Sequence, residues 1–256
     1  MENSLSRSLT VLADGNAVTG FYHARLTGRE AVGLVPVPFT LRLWNLAEED
    51  RCLLSAAKEI SVRHGDAVLA AGTVSDVYRR SVPEGTVTEV VFSTGLRLWE
   101  APVSLSVEAG VSVSETVRRI LAASGTGIPL LSFPGTDPVR SRAQAFFGRA
   151  AECVASALSA VPAYGCLTPS GLCVILSSGL PVSVTLTEQD LTDAPERAGS
   201  GLLILRTGPV GWLPGKAVSV RWKNLSAEGT VLERSVDADN TEGNWRSELI
   251  VKIHNS

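Results

Sequence analysis

Apolar and polar side chains alternate along several segments of the chain, as they do in strands that bury one face of a sheet. The longest such segment runs from Ile60 to Arg80, and the alternation continues on both sides of a short turn at Gly65 and Asp66. This pattern predicts a β-hairpin from a half-buried sheet. Near the other end of the chain, a Pro-Gly corner opens a series of three further segments, residues 213–222, 229–236 and 247–253. We therefore predict two β modules, one on each side of the middle of the chain.

The N-terminal module is predicted to contain further strands and one helix. Its strands cover residues 8–12, 21–26, 40–44 and 86–93. The first two strands are predicted to pair with each other across a tight turn at residues 14–16. Asn45 is placed to cap a helix over about residues 46–58, with Glu48 in the capping-box position. Residues 94–102 close the module. We interpret it as barrel-like, with the helix as a plug.

The middle of the chain changes to helical spacing of its apolar residues. Ser112 or Ser114 is placed to cap a helix that ends at Gly125. A second helix is predicted from near Gly148 to the region of Pro162. Brief strands are predicted over residues 105–107, 129–133 and 172–176.

Residues 181–200 have the composition of a linker, and a strand is predicted after them over residues 202–207. The predicted fold class is α+β and β-rich, with two barrel-like β modules that flank a smaller α+β middle region. The predicted domains are residues 1–102, a β-barrel-like domain with one short helix, residues 103–198, the middle α+β region, and residues 199–256, a C-terminal β domain.

Composition agrees with a folded protein, because hydrophobic residues make up 45% of the 256 residues and charged residues 19%. The net charge of −3 is spread evenly, so no segment has the basic footprint that binding to a nucleic-acid backbone requires. A near-neutral wall would nevertheless let nucleic acid pass without trapping it. Charge therefore argues against a DNA-binding protein and permits a conduit for DNA.

The four cysteines form no Cys-x-x-Cys pair, so neither a zinc site nor a disulfide framework is predicted. Cys52 and Cys153 lie in apolar helical segments and are expected to be buried. The first residues lack the pattern of a signal peptide, and no run of 18 apolar residues suggests a membrane span. We expect assembly in a reducing cytoplasm and no membrane segment.

Few residues offer chemistry. His23, His64 and His254 lack metal-ligand spacing, and no Gly-x-Ser-x-Gly elbow accompanies them. Residues 48–50 and 237–239 contain carboxylate pairs of the kind that glycosidases use. The first set is predicted to lie in the first turn of a helix and the second in a polar turn, which gives both a structural explanation. No catalytic residue, metal site or cofactor is predicted.

The tryptophans are predicted to lie mostly at strand ends or beside turns, where an indole buries a large surface and still places its N–H on a partner. They are Trp44, Trp99, Trp212, Trp222 and Trp245. Core packing is the favoured explanation for the set. Trp212 and Trp245 are also candidates for contact with another subunit.

Several short phrases, taken in order along nearly the whole chain, resemble those of a known family. They are Val-Arg-His-Gly-Asp at 62–66 with Ala-Gly-Thr-Val-Ser-Asp-Val at 71–77, Val-Ser-Val-Ser-Glu-Thr-Val at 111–117, Gly-Leu-Cys-Val-Ile at 171–175, Leu-Pro-Gly at 213–215 with Val-Ser-Val at 218–220, and Asn-Trp-Arg-Ser-Glu-Leu at 244–249. Each phrase is short, and their order carries the likeness. The chain resembles the baseplate hub proteins of contractile-tailed bacteriophages, the Mu-like and late-control D type.

The resemblance implies a homotrimer in the virion tail baseplate, with two barrel-like domains per subunit in a ring of pseudo-sixfold symmetry. Such a ring would join the hexameric tail tube to the trimeric central spike, and its channel would pass the tape-measure protein and then DNA. Pairing between subunits would also cover strand edges that otherwise invite aggregation. We therefore predict the interface along the hairpin of residues 60–80 and the final strands. Its candidate residues are Val62, Val74, Val77, Trp212, Trp245 and Leu249.

Two alternatives stay open at this point. One is a tail-associated cell-wall hydrolase that uses Glu48 or Asp50 together with another carboxylate. The other is a hexameric tail-tube or sheath-adjacent protein. Lytic activity separates the first from a hub, and the number of subunits in the ring separates the second.

Overall fold

The computed structural model describes residues 7–133, 135–176, 182–199, 201–211 and 213–254. The N-terminal part of the chain contains β1 (Thr10–Ala13), β2 (Asn16–Val18), β3 (His23–Ala31), β4 (Pro38–Trp44), α1 (Glu48–Ala56), β5 (Glu59–His64), β6 (Ala67–Val82), β7 (Gly85–Ser93) and α2 (Leu96–Glu100). The middle contains β8 (Pro102–Val107), α3 (Val113–Ser124), β9 (Leu130–Ser132), β10 (Gln144–Arg149), α4 (Ala150–Leu158), β11 (Ala163–Thr168) and β12 (Gly171–Leu176). The remaining strands are β13 (Val184–Leu186), β14 (Glu196–Arg197), β15 (Leu202–Thr207), β16 (Ala217–Trp222), β17 (Leu225–Asp239) and β18 (Trp245–Ile253).

Both ends of the chain contribute strands to one large sheet. Its order is β14-β15-β18-β17-β3-β4-β7-β6-β5-β1-β2, with β16 paired to β17 and the short β13 paired in parallel to β16. Two smaller sheets, β8 with β10 and β9 with β11 and β12, lie outside it. These sheets and the few helices give an α+β, β-rich fold, as the alternating pattern predicts.

The strand β17 joins the two β modules. Residues 225–230 pair with β16 and residues 233–239 pair with β3 along the same edge, while β18 covers the opposite edge. The register shifts between Val231 and Glu233, and the carbonyl of the intervening Leu232 accepts a hydrogen bond of 2.8 Å from the Val32 N–H. A bulge of this kind bends a strand and increases its twist. One strand can therefore belong to two parts of the large sheet that face different cores.

Among the residues that the structure describes, three buried clusters form the core. The first fills the N-terminal module and includes Leu26, Phe39, Leu54 and Phe92. The second lies around α3 and α4 in the middle region. The third fills the C-terminal module and includes Leu249. Each β module thus buries its own apolar face, which is why the alternation is so regular in both.

The helix α3 shows why the sequence pattern works where local signals agree. Ser112 caps its N-terminus by accepting a hydrogen bond of 3.3 Å from the Glu115 N–H, and Gly125 ends it at a φ of 66°. A left-handed φ at this place favours glycine. Val117 and Ile120 are fully buried, as their spacing predicts. The predicted hairpin of residues 60–80 is also confirmed, as β5 and β6.

Other predictions about the N-terminal module are wrong. The partner of β1 across the turn is β2, whereas β3 pairs with β4 and β17. Asn45 does not cap α1, because its φ is 53° and its side-chain oxygen accepts a hydrogen bond of 3.2 Å from the Thr86 N–H. Cys52 is exposed, since α1 turns Leu54 toward the core and Cys52 away from it. Cys153 is buried, as predicted.

In the middle of the chain, β10 and β11 are strands that the sequence pattern does not predict. The segment described as a linker also contributes β13 and β14 to the large sheet. The predicted limits of the three domains stay a prediction. None of the helices in the described part of the chain is long and apolar enough to cross a membrane.

Candidate subunit interface

The hairpin of β5 and β6 leaves a long strand edge without a partner. β5 pairs with residues 67–73 of β6, whereas β6 continues to Val82 and pairs there only with β7. Within the described residues, no strand covers the other edge of β6 from Ser75 onward. Most side chains in this half of β6 are exposed, Tyr78 among them. Unpaired N–H and C=O groups along such an edge can pair with another chain.

Three predicted interface residues lie on this hairpin. Val62 is fully buried in the first core cluster, opposite Val11 of β1. Val74 and Val77 are half-buried and pack against the same cluster. Val74 and Val77 thus keep some surface for another chain, whereas the Val62 side chain packs within its own chain.

The other predicted interface residues belong to the C-terminal part. Trp245 is half-buried, and its ring meets the His64 ring edge-on at 5.0 Å between centroids. Leu249 is fully buried in the third core cluster. Trp212 lies outside the described residues. The structure contains one chain, so the role of these six positions at a subunit interface stays a prediction.

Phe147 is an exposed aromatic residue that the sequence analysis missed. It is 88% exposed, whereas its neighbour Phe146 is buried in the middle core. Both lie on β10, where successive side chains point to opposite faces. The alternation at residues 144–149 was the available signal, although the segment is short and runs directly into α4.

An apolar groove of about 290 Å³ runs along α4, the helix that follows β10 in the chain. Its lining includes Leu34 and Val35 of the loop after β3, together with Trp99 and Ala151. Val35 is 66% exposed. Exposed apolar surface of this kind often marks a contact with another protein.

The carboxylates of residues 48–50 have structural partners. Asp50 accepts hydrogen bonds from the N–H groups of Gly20, at 2.6 Å, and Thr19, at 3.2 Å. Glu48 forms an ion pair with Arg51 on the same helix. The hydrogen bonds to Asp50 hold α1 against the loop before β3. They do not create the desolvated acid that a glycosidase requires.

Asp237 and Asp239 are likewise held by neighbouring groups. Arg25 donates a hydrogen bond of 2.9 Å to Asp237, and His23 lies 2.9 Å from Asp239. Partial burial alone would raise the pKa of both carboxyl groups. The hydrogen bonds from Arg25 and His23 outweigh that effect and lower each pKa below its ordinary value of 3.8. Both groups stay ionised at neutral pH, which suits a structural ion pair and not a general acid.

The histidines and cysteines are dispersed. His64 contacts the Ser8 carbonyl at 2.9 Å, and His254 lies 2.9 Å from the Thr230 hydroxyl. Among the described residues, no group of three or more His, Cys, Asp or Glu side chains is arranged to hold a metal ion.

Comparison with known proteins gives structural matches only. No protein-family model matches the sequence, and no curated protein matches it either. A tail protein from Neisseria meningitidis matches with a TM-score of 0.70 at 13% identity, over 96% of each chain. The tail protein of prophage MuSo2 from Shewanella oneidensis matches with a TM-score of 0.68 at 11% identity, over 95% of each chain.

A third match is an Escherichia coli component of the type VI secretion system, described as structurally similar to the T4 bacteriophage tail proteins gp27 and gp5. Its TM-score is 0.66 at 11% identity, over 92% of this chain and 74% of that one. Identities this low establish the fold alone. The chain has the fold of these phage-type tail proteins.

Proposed function

We propose that the chain is a structural baseplate hub of a contractile phage tail or of a related injection device. The observation that carries this proposal is the agreement in fold with a tail protein over 96% of both chains, which takes in both β modules and the region between them. The likeness to a type VI secretion component supports the wider class of injection devices. Three such subunits would form a ring that joins the tail tube to the central spike.

The open edge of β6 supports a ring. A long unpaired edge invites uncontrolled association unless another element covers it. In a closed cyclic assembly, each subunit can cover an edge of the next, and no edge is left over. The bent strand β17 supports pseudo-sixfold geometry, because it holds two β modules of one subunit side by side. Three subunits would then present six modules to a hexameric tube.

The charge pattern suits a channel. The net charge is −3 over the whole chain, and cross-strand ion pairs neutralise many of the charged groups on the large sheet. A near-neutral wall lets a polyanion slide past without binding it. We infer that the ring passes the tape-measure protein and DNA, and that it resides in the virion baseplate after assembly in the host cytoplasm.

The role is proposed to be non-enzymatic. The carboxylates that a wall hydrolase would use have structural partners, as described for Asp50, Asp237 and Asp239. A direct assay on bacterial cell walls tests this point with wild-type protein and Glu48→Gln. We expect no lysis by either protein. Lysis by the wild type that Glu48→Gln abolishes would support the hydrolase instead.

Electron microscopy of the purified protein tests the ring. The hub proposal predicts class averages with a central hole, threefold symmetry and six lobes. Rings of six identical subunits would contradict it and would favour the tail-tube alternative. Imaging over a range of protein concentrations shows whether the rings depend on mass action.

A further inference from the structure

Glu30 and Arg234 face each other where the two β modules meet. They are directly opposite in the register of β3 and β17, and Nη2 of Arg234 lies 3.1 Å from Oε2 of Glu30. Arg234 is completely buried, and Glu30 is 6% exposed. Because β17 belongs to both modules, this charged pair lies inside their junction.

The hydrogen bonds of Arg234 go elsewhere. Its two terminal nitrogens donate to the carbonyl oxygens of Leu69, on β6, and Val210, in the loop after β15. Among the described residues, no group donates a hydrogen bond of good geometry to either carboxylate oxygen of Glu30. On burial, the Glu30 carboxylate loses its hydration and receives in exchange only the nearby positive charge of Arg234. The ionised form is therefore costly to bury.

The other groups near Glu30 do little to offset that cost. The Cys166 thiol, on β11, faces it, and burial raises the pKa of this thiol to about 12, so it is neutral. Arg29 borders a space of about 20 Å³ beside Glu30, but its own side chain is largely exposed. Burial raises the pKa of Glu30 to about 7, although the charge of Arg234 opposes the shift. Val35, which is 66% exposed, borders the same small space.

We propose that Glu30 is a proton-operated switch that sets the stability of the junction between the two β modules. As a neutral acid Glu30 is buried at little cost. The guanidinium of Arg234 then keeps the two carbonyl oxygens as hydrogen-bond acceptors, and its own burial lowers its pKa. As the pH rises, the proton passes to solvent and the junction must hold a dry carboxylate. The junction is then weaker, although no residue has changed its partners.

The sign of the effect follows from proton linkage. The pKa of Glu30 is raised from 4.5 to about 7 by folding, so the folded protein binds this proton more tightly than the unfolded chain does. The stabilisation is complete below pH 4.5 and is lost as the pH rises through 7. With these two values, the folding equilibrium constant falls about tenfold between pH 6 and pH 8.

The test compares denaturant unfolding of the wild type and Glu30→Gln from pH 6 to pH 8. Glutamine resembles the neutral acid, so we expect Glu30→Gln to lose the tenfold pH dependence that the wild type shows. Glu228→Gln is the matched control, because Glu228 is an exposed carboxylate on β17, the strand that carries Arg234. The control should keep the wild-type slope. Equal slopes for the wild type and Glu30→Gln would overturn the proposal.

Infrared difference spectroscopy of the wild type gives a second readout that needs no variant to fold. We expect a protonated carboxyl band that disappears with a midpoint near pH 7 and is absent from any folded Glu30→Gln. A wild-type spectrum with no carboxyl group titrating between pH 6 and pH 8 would contradict the switch. Neither experiment depends on the proposed tail function.

Discussion

The Nε2 atom of His23 lies 2.9 Å from Oδ1 of Asp239, although β3 and the end of β17 are far apart in the sequence. The His23 ring also stacks on Trp44, with 3.9 Å between ring centroids and 13° between planes. Asp239 accepts further hydrogen bonds from the N–H groups of Thr241 and Glu242. This contact therefore fastens the turn between β17 and β18 to the N-terminal module.

Asp239→Asn should weaken this attachment. The amide keeps the shape of the side chain but loses the negative charge. That charge lies against His23 and accepts hydrogen bonds from the N–H groups of Thr241 and Glu242. We expect a loss of about 1–3 kcal/mol in the free energy of unfolding. Urea unfolding measures it, with Asp66→Asn in the exposed hairpin turn as the matched control. The same loss in both variants would show that the His23 contact is unimportant.

The same carboxyl group predicts how stability changes in acid. The pKa of Asp239 is lowered in the folded protein, so its contribution is present above pH 3.8 and is lost as the pH falls through the lower folded value. The wild type should therefore lose more stability than Asp239→Asn as the pH falls below about 4. Thermal unfolding at a series of acid pH values measures the difference. Parallel curves for the two proteins would refute this assignment.

Gly215 forms the close contact between the Pro-Gly corner and the middle region. Its φ is 81°, its N–H donates a hydrogen bond of 2.7 Å to the Val231 carbonyl, and a Cβ here would overlap the Ile175 side chain. Gly215→Ala should cost about 2 kcal/mol or more. Gly208→Ala is the control, because nothing lies within 4 Å of a Cβ at that position. Chemical unfolding should separate the two variants, and a harmless Gly215→Ala would contradict the packing.

Phe147 offers a test of contact between subunits that leaves the single chain intact. Because this side chain is 88% exposed, Phe147→Ser should change the stability of the isolated chain by no more than about 0.5 kcal/mol. In the proposed trimer, a second copy would cover exposed apolar surface. If that copy covers the Phe147 ring, the dissociation constant of the trimer should rise about tenfold in the variant. Analytical ultracentrifugation measures that constant. Unchanged association would place Phe147 outside the interface.

The sequence predicts the fold best where each strand buries one face. The alternation in β5 and β18 survives in the structure because each module has its own core. Pairing is harder to predict, since alternation does not say which strand is the neighbour. That is why β1 was assigned the wrong partner. Asn45 fails as a cap for a related reason: its side chain is engaged by Thr86, a residue brought close only by folding.

The features at the junction could not be predicted from local pattern. Glu30 and Arg234 are ordinary charged residues in alternating strands, and only the pairing of β3 with β17 turns them inward together. The unpaired edge of β6 could not be predicted from the sequence for the same reason, because it depends on where β5 ends. Phe147 was missed because β10 is short and leads directly into α4. In each case the decisive information is a contact between distant segments.

The number of subunits in the purified assembly distinguishes a trimeric hub from a hexameric tail-tube protein. Native mass spectrometry, supported by light scattering over a range of concentrations, counts the chains in each particle. We expect three chains in the closed species and no stable ring of six. A hexameric ring would contradict the hub and favour a tail-tube protein.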